Sequence, residues 1–187
     1  MRPFFDAMRK NYRNLTYGAL IAALYVALTY LQNALIPGSA TWVIQFRASE
    51  ALCVMALYTP SAIWGLGVGC LLFNLSYAGA LPLDAVVGTL ASLLAGWGMY
   101  LLRNVRVNWG MYILRNVRVK KVPLPALLIP GITNGLLVGW ELWLFIGGDL
   151  WLNMLYVAIG EWLVLLTLGA ALAWAMERRN LPQRIFI

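Results

Sequence analysis

The chain contains no histidine. That removes the usual general base, the partner of Ser/His and Cys/His nucleophile pairs, and the commonest metal ligand. Its two cysteines, Cys53 and Cys70, each stand alone in an apolar run without C-x-x-C spacing, so neither a zinc site nor a disulfide framework is readable. No G-x-x-x-x-G-K-[ST] phosphate loop occurs. Charge is scarce: 11% of residues, against about 25% in ordinary soluble domains. In its place 62% of the 187 residues are hydrophobic, with a mean hydropathy of +0.75. These values exclude a soluble domain and leave little from which to build an enzyme. They describe an integral membrane protein.

The net charge of +7 is a topology signal rather than a nucleic-acid footprint. Basic residues collect in 1–14, in 103–121 and in the tail at Arg178, Arg179 and Arg184, and only Arg47 lies elsewhere. Short basic segments sit on the cytoplasmic side, so an even number of helices must separate each from the next. A membrane helix needs about 20 apolar residues, and six of them fit this length with short loops. The expected spans are 16–36, 46–58, 63–77, 83–104, from Pro123 to 147, and 150–176. The second of these is short and polar at its start. The fold class expected is therefore an all-α integral membrane protein of six transmembrane helices, one domain over 1–187, with cytoplasmic N and C termini.

One tandem repeat stands out. Residues 97–108 (WGMYLLRNVRVN) are followed at once by 109–120 (WGMYILRNVRVK). The duplication lengthens the basic connection between the fourth and fifth spans. It reads either as a tolerated insertion or as an interfacial amphipathic helix that touches a partner or lipid headgroups.

Charged groups inside a membrane are costly, which makes each a functional candidate. Glu50, Asp84 and Asp149 fall near the outer ends of spans. Glu141 lies about 9 Å, and Glu161 about 16 Å, inside the outer ends of their helices at 1.5 Å per residue. Arg47, Asn74 and Asn153 share this outer half, so polar groups from several helices converge on an external cavity. Simpler roles exist for some of them. Arg47 and Glu50 are spaced to pair with each other, Asp84 is placed to cap a helix, and Asp149 suits a solvated loop. Glu141 and Glu161 serve either ligand contact and gating or internal hydrogen bonding. Trp140 and Trp143 bracket Glu141, with Trp151 nearby, and are either the walls of a binding site or lipid-facing bulk. Ala19, Ala23 and Ala27 form a small-residue stripe on the first span. Its spacing suits close approach of a helix, whether a partner's or one of the protein's own.

The segments 44–52 (IQFRASEAL), 65–74 (GLGVGCLLFN), 83–91 (LDAVVGTLA) and 158–162 (AIGEW) resemble the QueT-type substrate-binding (S) components of energy-coupling-factor (ECF) importers. The resemblance runs through most of the chain outside the duplicated stretch. It implies a six-helix subunit of the bacterial cytoplasmic membrane that binds substrate from outside. The partners it implies are a membrane scaffold of the EcfT type and two cytoplasmic ATPases. ATP and magnesium are used by those ATPases, and this chain binds no cofactor. In the family an A-x-x-x-A pattern on helix one docks onto the scaffold, and Ala19 and Ala23 occupy it, continued by Ala27. The chain is also similar to a cobalamin-specific S component. Cobalamin (vitamin B12) is therefore the expected substrate, with a queuosine precursor, a small deazapurine, as the alternative. A stand-alone secondary carrier is the reading from another class. It calls for inverted repeats and broken helices, and no such internal symmetry is visible.

Overall fold

The computed structural model describes residues 2–39, 46–104 and 123–185, with side chains for 11–39, 46–104, 123, 125–183 and 185. The described residues are helical and include no strand. In chain order the elements are α1 (Arg2–Leu35), a 3₁₀ segment (Ala48–Leu57), α2 (Ser61–Ser76), α3 (Asp84–Leu102), α4 (Leu124–Phe145), α5 (Leu150–Val164), a π turn (Leu165–Gly169), α6 (Ala170–Arg178) and the short α7 (Leu181–Ile185). The run α5–π–α6 is one continuous rod of 29 residues, Leu150–Arg178.

Among the described residues six rods fall in the segments read as spans, but they differ in length. Four are long and apolar enough to cross a membrane: Asn11–Leu35, Asp84–Leu102, Pro125–Phe145 and Leu150–Arg178. The second and third are shorter. At 16 residues α2 spans about 24 Å, less than the roughly 30 Å hydrocarbon core. The second rod is 3₁₀ rather than α-helical for all of its 10 residues, a long run for that conformation. Its 2.0 Å rise stretches it to about 20 Å, where an α-helix of equal length would reach about 15 Å. Eight of its ten residues are buried. It packs against α1, α2, α3, α5, the π turn and α6. The segment weakest by hydropathy thus occupies the centre of the protein, where its polar residues meet protein instead of lipid.

Small residues draw the rods together. Gly18 and Ala22 on α1 face Gly65 and Gly69 on α2. A Cβ on Gly65 would lie 2.6 Å from the Gly18 carbonyl oxygen, so only glycine permits that approach. Gly131, Gly135 and Gly139 recur every fourth residue along α4, facing α5, and a Cβ on Gly139 would sit 2.5 Å from Met154 Cα. These are small-xxx-small interfaces, the device by which membrane helices gain van der Waals contact without a hydrophobic drive.

Two apolar cores result. The larger gathers Ile21 and Tyr25 of α1, Leu52 to Leu57 of the 3₁₀ segment, Leu66 of α2 and Leu165 of the π turn. The smaller joins Val87 and Ala91 of α3 to Val138 and Leu142 of α4 and Val157 of α5. At the far end of the rods α7 folds back onto α1. There Arg13 Nη2 and the Tyr17 hydroxyl both donate to the Ile185 carbonyl, at 3.1 and 2.6 Å. The whole second repeat copy, 109–120, with the end of the first and the basic residues Arg106, Arg115, Arg118, Lys120 and Lys121, lies in 105–122, outside the described residues.

Candidate functional site

Entering the 3₁₀ segment, the backbone at Arg47 is extended, and its side chain is buried inside the bundle. Its Nη1 lies 3.9 Å from Cys70 Sγ, and its guanidinium carbon is 5.9 Å from the centre of the Phe73 ring. Asp84 and Glu50 are its acidic neighbours. Three residues on, Glu50 is held on both oxygens. The Tyr25 hydroxyl donates to Oε1, and the Cys53 thiol donates to Oε2 at 3.1 Å. Glu161, on α5, feels Glu50 and Arg47, and its Oε2 is buried with no donor. Behind Tyr25, Thr29 Oγ1 is 2.7 Å from Ser49 Oγ, which ties α1 to the 3₁₀ segment beneath the cluster.

On the other side of Arg47 lies Asp84. The sequence offered it as a helix cap, but the cap position belongs to Leu83, and Asp84 is the first residue of α3. Its Oδ2 reaches back to accept from the Leu81 amide at 2.6 Å, fixing the turn that enters the helix. Its main-chain oxygen accepts from Asn74 Nδ2 at 2.8 Å. Glu141, on α4, is 0% exposed; its carboxyl lies within hydrogen-bonding reach of the Asp84 carboxyl, and no amide, hydroxyl or basic group donates to its oxygens. Asp84 and Arg47 are the charged groups that act on it. Asn134, seven residues earlier on the same helix face, is also buried, with its Nδ2 lacking an acceptor.

Arg47, Glu50, Asn74, Asp84, Glu141 and Glu161 are thus drawn from five rods into one buried network. The remaining candidates are placed elsewhere. Asn153 Nδ2 donates to the Gly147 carbonyl at 2.9 Å, which closes the turn at Gly147 and Gly148, both at positive φ. Asp149 is the cap of α5, accepting from the Leu152 amide at 2.9 Å, rather than a merely solvated loop residue. Trp140 and Trp143 are 41% and 42% exposed and Trp151 is 73% exposed, so these three indoles lie on the outer surface and do not wall Glu141. The reason is helical phase: when Glu141 points inward, its neighbour Trp140 is turned about 100° away. Trp162 instead crosses Gly131 and donates to the Leu128 carbonyl at 3.0 Å. Ala19, Ala23 and Ala27 all face outward, on the side of α1 away from the packed Gly18–Ala22 edge.

Sequence reasoning passed over Tyr25, Thr29, Ser92 and Asn134, all of them buried polar residues. Asn134 carried a signal, its spacing of seven from Glu141. Tyr25 carried none, since a tyrosine in an apolar span reads as bulk.

A helical bundle with rods long enough to cross a membrane, closed around buried carboxyl groups and the buried Arg47, defines a membrane protein with an internal polar site. The family model described as QueT transporter matches residues 15–178, and the chain belongs to that family. Members are substrate-binding S components of ECF transporters, which work with scaffold and ATPase modules, and are not enzymes. No curated protein and no solved structure matches the chain significantly.

Proposed function

We propose that this chain is the S component of an ECF importer in the bacterial cytoplasmic membrane and that it captures a queuosine precursor, a small deazapurine. The single observation that carries this reading is the family match over 15–178, which takes in every member of the buried network. A deazapurine presents ring N–H and C=O groups at its edge, and buried carboxyl and amide side chains discriminate strongly for such groups. Asn134, Asn74 and Glu161 each keep a buried polar atom without a partner, Glu141 faces only the Asp84 carboxyl, and these are the groups that read that edge. Cobalamin, the substrate expected from sequence, gains no support from the match. The wide aromatic mouth that argued for it also loses Trp140, Trp143 and Trp151 to the outer surface.

In this reading the six rods all cross or line the membrane, the 3₁₀ segment being short because protein surrounds it. The basic segments and both termini are cytoplasmic. The outward stripe Ala19, Ala23 and Ala27 is the docking face for an EcfT-type scaffold, which carries two ATPases that use ATP and magnesium. This chain itself holds no cofactor.

Titrating the purified full chain with a deazapurine, cyanocobalamin and cobinamide tests the substrate. Saturable binding of the deazapurine and of neither corrinoid is expected. Corrinoid binding without deazapurine binding overturns the reading.

A further inference from the structure

The 3₁₀ rod, Ala48–Leu57, is made of few residues for the distance it covers. At its first end Gln32 of α1 accepts from the Ala48 amide and donates to the Phe46 carbonyl. Thr29 and Tyr25 add ties from α1 to Ser49 and Glu50. At its other end the chain turns through Thr59 and Pro60 into α2. There Gly65 meets Gly18 of α1, and Gly69 meets Ala22 and Tyr25, so α1 and α2 run parallel and in step. Ser61 therefore lies about one turn below Gly18, near the level of Asn14. From Asn14 to Gln32 α1 climbs about 27 Å. The chain from Ala48 to Ser61 covers about 26 Å at the 3₁₀ rise and only about 20 Å at the α rise. The rod is drawn out to the length that α1 sets.

Its two ends are held differently. The α2 end is locked by packed backbone, since a Cβ on Gly65 would lie 2.6 Å from the Gly18 carbonyl oxygen. The Tyr58 hydroxyl adds a bond to Glu177 of α6 at 3.2 Å. The Gln32 end is tied to α1 by side-chain hydrogen bonds. Between the ends, residues 51–57 (ALCVMAL) are apolar, and their contacts are non-directional. The last rod meets this stretch at Gly169 of the π turn, where a Cβ would lie 3.1 Å from Val54 Cγ1. A 3₁₀ run inside a helical bundle and a π turn are both features of moving or functional segments, and here they touch.

We propose that the 3₁₀ rod is a stretched strut held out by Tyr25, Thr29 and Gln32, and that releasing these ties lets it wind into α-helix and opens the polar site. Its 10 residues then shorten from about 20 to about 15 Å. With the α2 end locked, Arg47 and Glu50 are drawn about 5 Å along the bundle, away from Asp84, and the network comes apart. The contraction follows from chain length and does not depend on which substrate is carried.

The test measures the strut directly. Spin labels are placed at Ala48→Cys, on the rod, and at Leu101→Cys, exposed near the end of α3, with Cys53 and Cys70 replaced by serine. Distances are read by pulsed electron resonance on the full chain in lipid nanodiscs. Thr29→Val with Gln32→Leu, which removes the ties at 46–49, is expected to shorten the separation by about 5 Å. An unchanged or longer separation overturns the proposal. Inserting two alanines between Ala56 and Leu57 supplies the control. Twelve residues of α-helix span about 18 Å and turn through the same angle, about 1200°, as ten of 3₁₀. In that background removing the ties is expected to leave the separation unchanged, and a further shortening of about 5 Å overturns the proposal. The comparison without the insertion decides the matter if the lengthened chain does not fold. Deazapurine affinity is expected to fall at least about tenfold when the ties are removed, as bonds to charged groups are lost. Contraction with undiminished binding overturns the strut's role in opening the site. If the unaltered protein binds no deazapurine, the substrate reading fails and the distances still decide the strut.

Discussion

Tyr25 and Glu50 show how single side chains set this site. The tyrosine is fully buried, and its hydroxyl donates to a carboxylate that has no access to water. Replacing it by phenylalanine keeps the ring in the apolar core and removes only the donor. The orphaned oxygen then carries its desolvation penalty uncompensated, about 1–3 kcal/mol and more if it stays ionised. Tyr25→Phe is therefore expected to lower the thermal unfolding midpoint of the detergent-purified chain. An unchanged midpoint would show that the bond contributes nothing net. At this scale the sequence was readable where polarity was conspicuous. Glu141 and Glu161 stand out as acids placed deep in apolar runs. The phenol of Tyr25 does not, because only the fold shows that a carboxylate waits opposite it.

Helices meet other helices here through two kinds of small-residue stripe, and the element scale separates them. The stripe Gly131, Gly135 and Gly139 faces inward, so Gly139→Leu drives its side chain into the Met154 backbone. Overpacking costs about 1–3 kcal/mol where neighbours can shift, and backbone yields least. Loss of a monodisperse, ligand-binding subunit on size-exclusion chromatography is expected. The stripe Ala19, Ala23 and Ala27 faces outward. Leucines at Ala19 and Ala23 should leave folding and ligand binding intact while abolishing co-purification with the scaffold and substrate uptake. If ligand binding is lost instead, that face of α1 belongs to the subunit's own packing. The alanine spacing was evident from sequence, and the glycine spacing on α4 was equally present. Periodicity alone does not say which stripe is turned inward, since that depends on the rotation of each helix in the bundle.

For the whole molecule the question is where energy enters. The sequence has no phosphate loop, and the family is one of transporter S components rather than enzymes. The purified chain is expected to hydrolyse no ATP, and vesicles containing it alone are expected to accumulate no substrate. Adding the scaffold and both ATPases should start uptake that depends on ATP. Accumulation by the chain alone, driven by an ion gradient, would make it a secondary carrier instead.

Composition by itself determined that this is a membrane protein, because no soluble core needs so large an apolar share with so little charge. Hydropathy and turn residues located the helical segments to within a few residues, since desolvating an unpaired backbone in lipid leaves helix as the available state, except that α1 begins at Arg2, fourteen residues before the apolar stretch that marked its span. Deep acids marked the side chains that a fold must then bring together. Only the tertiary structure decided that residues 48–57 are an extended 3₁₀ rod at the centre, that a π turn interrupts the last helix, and that Trp140 points away from the acid next to it. Each of those outcomes depends on which neighbours surround a segment. Hydropathy sums the character of a segment along the chain, whereas helix phase, rise and partner choice are fixed across the bundle, where residues far apart in sequence compete for the same space.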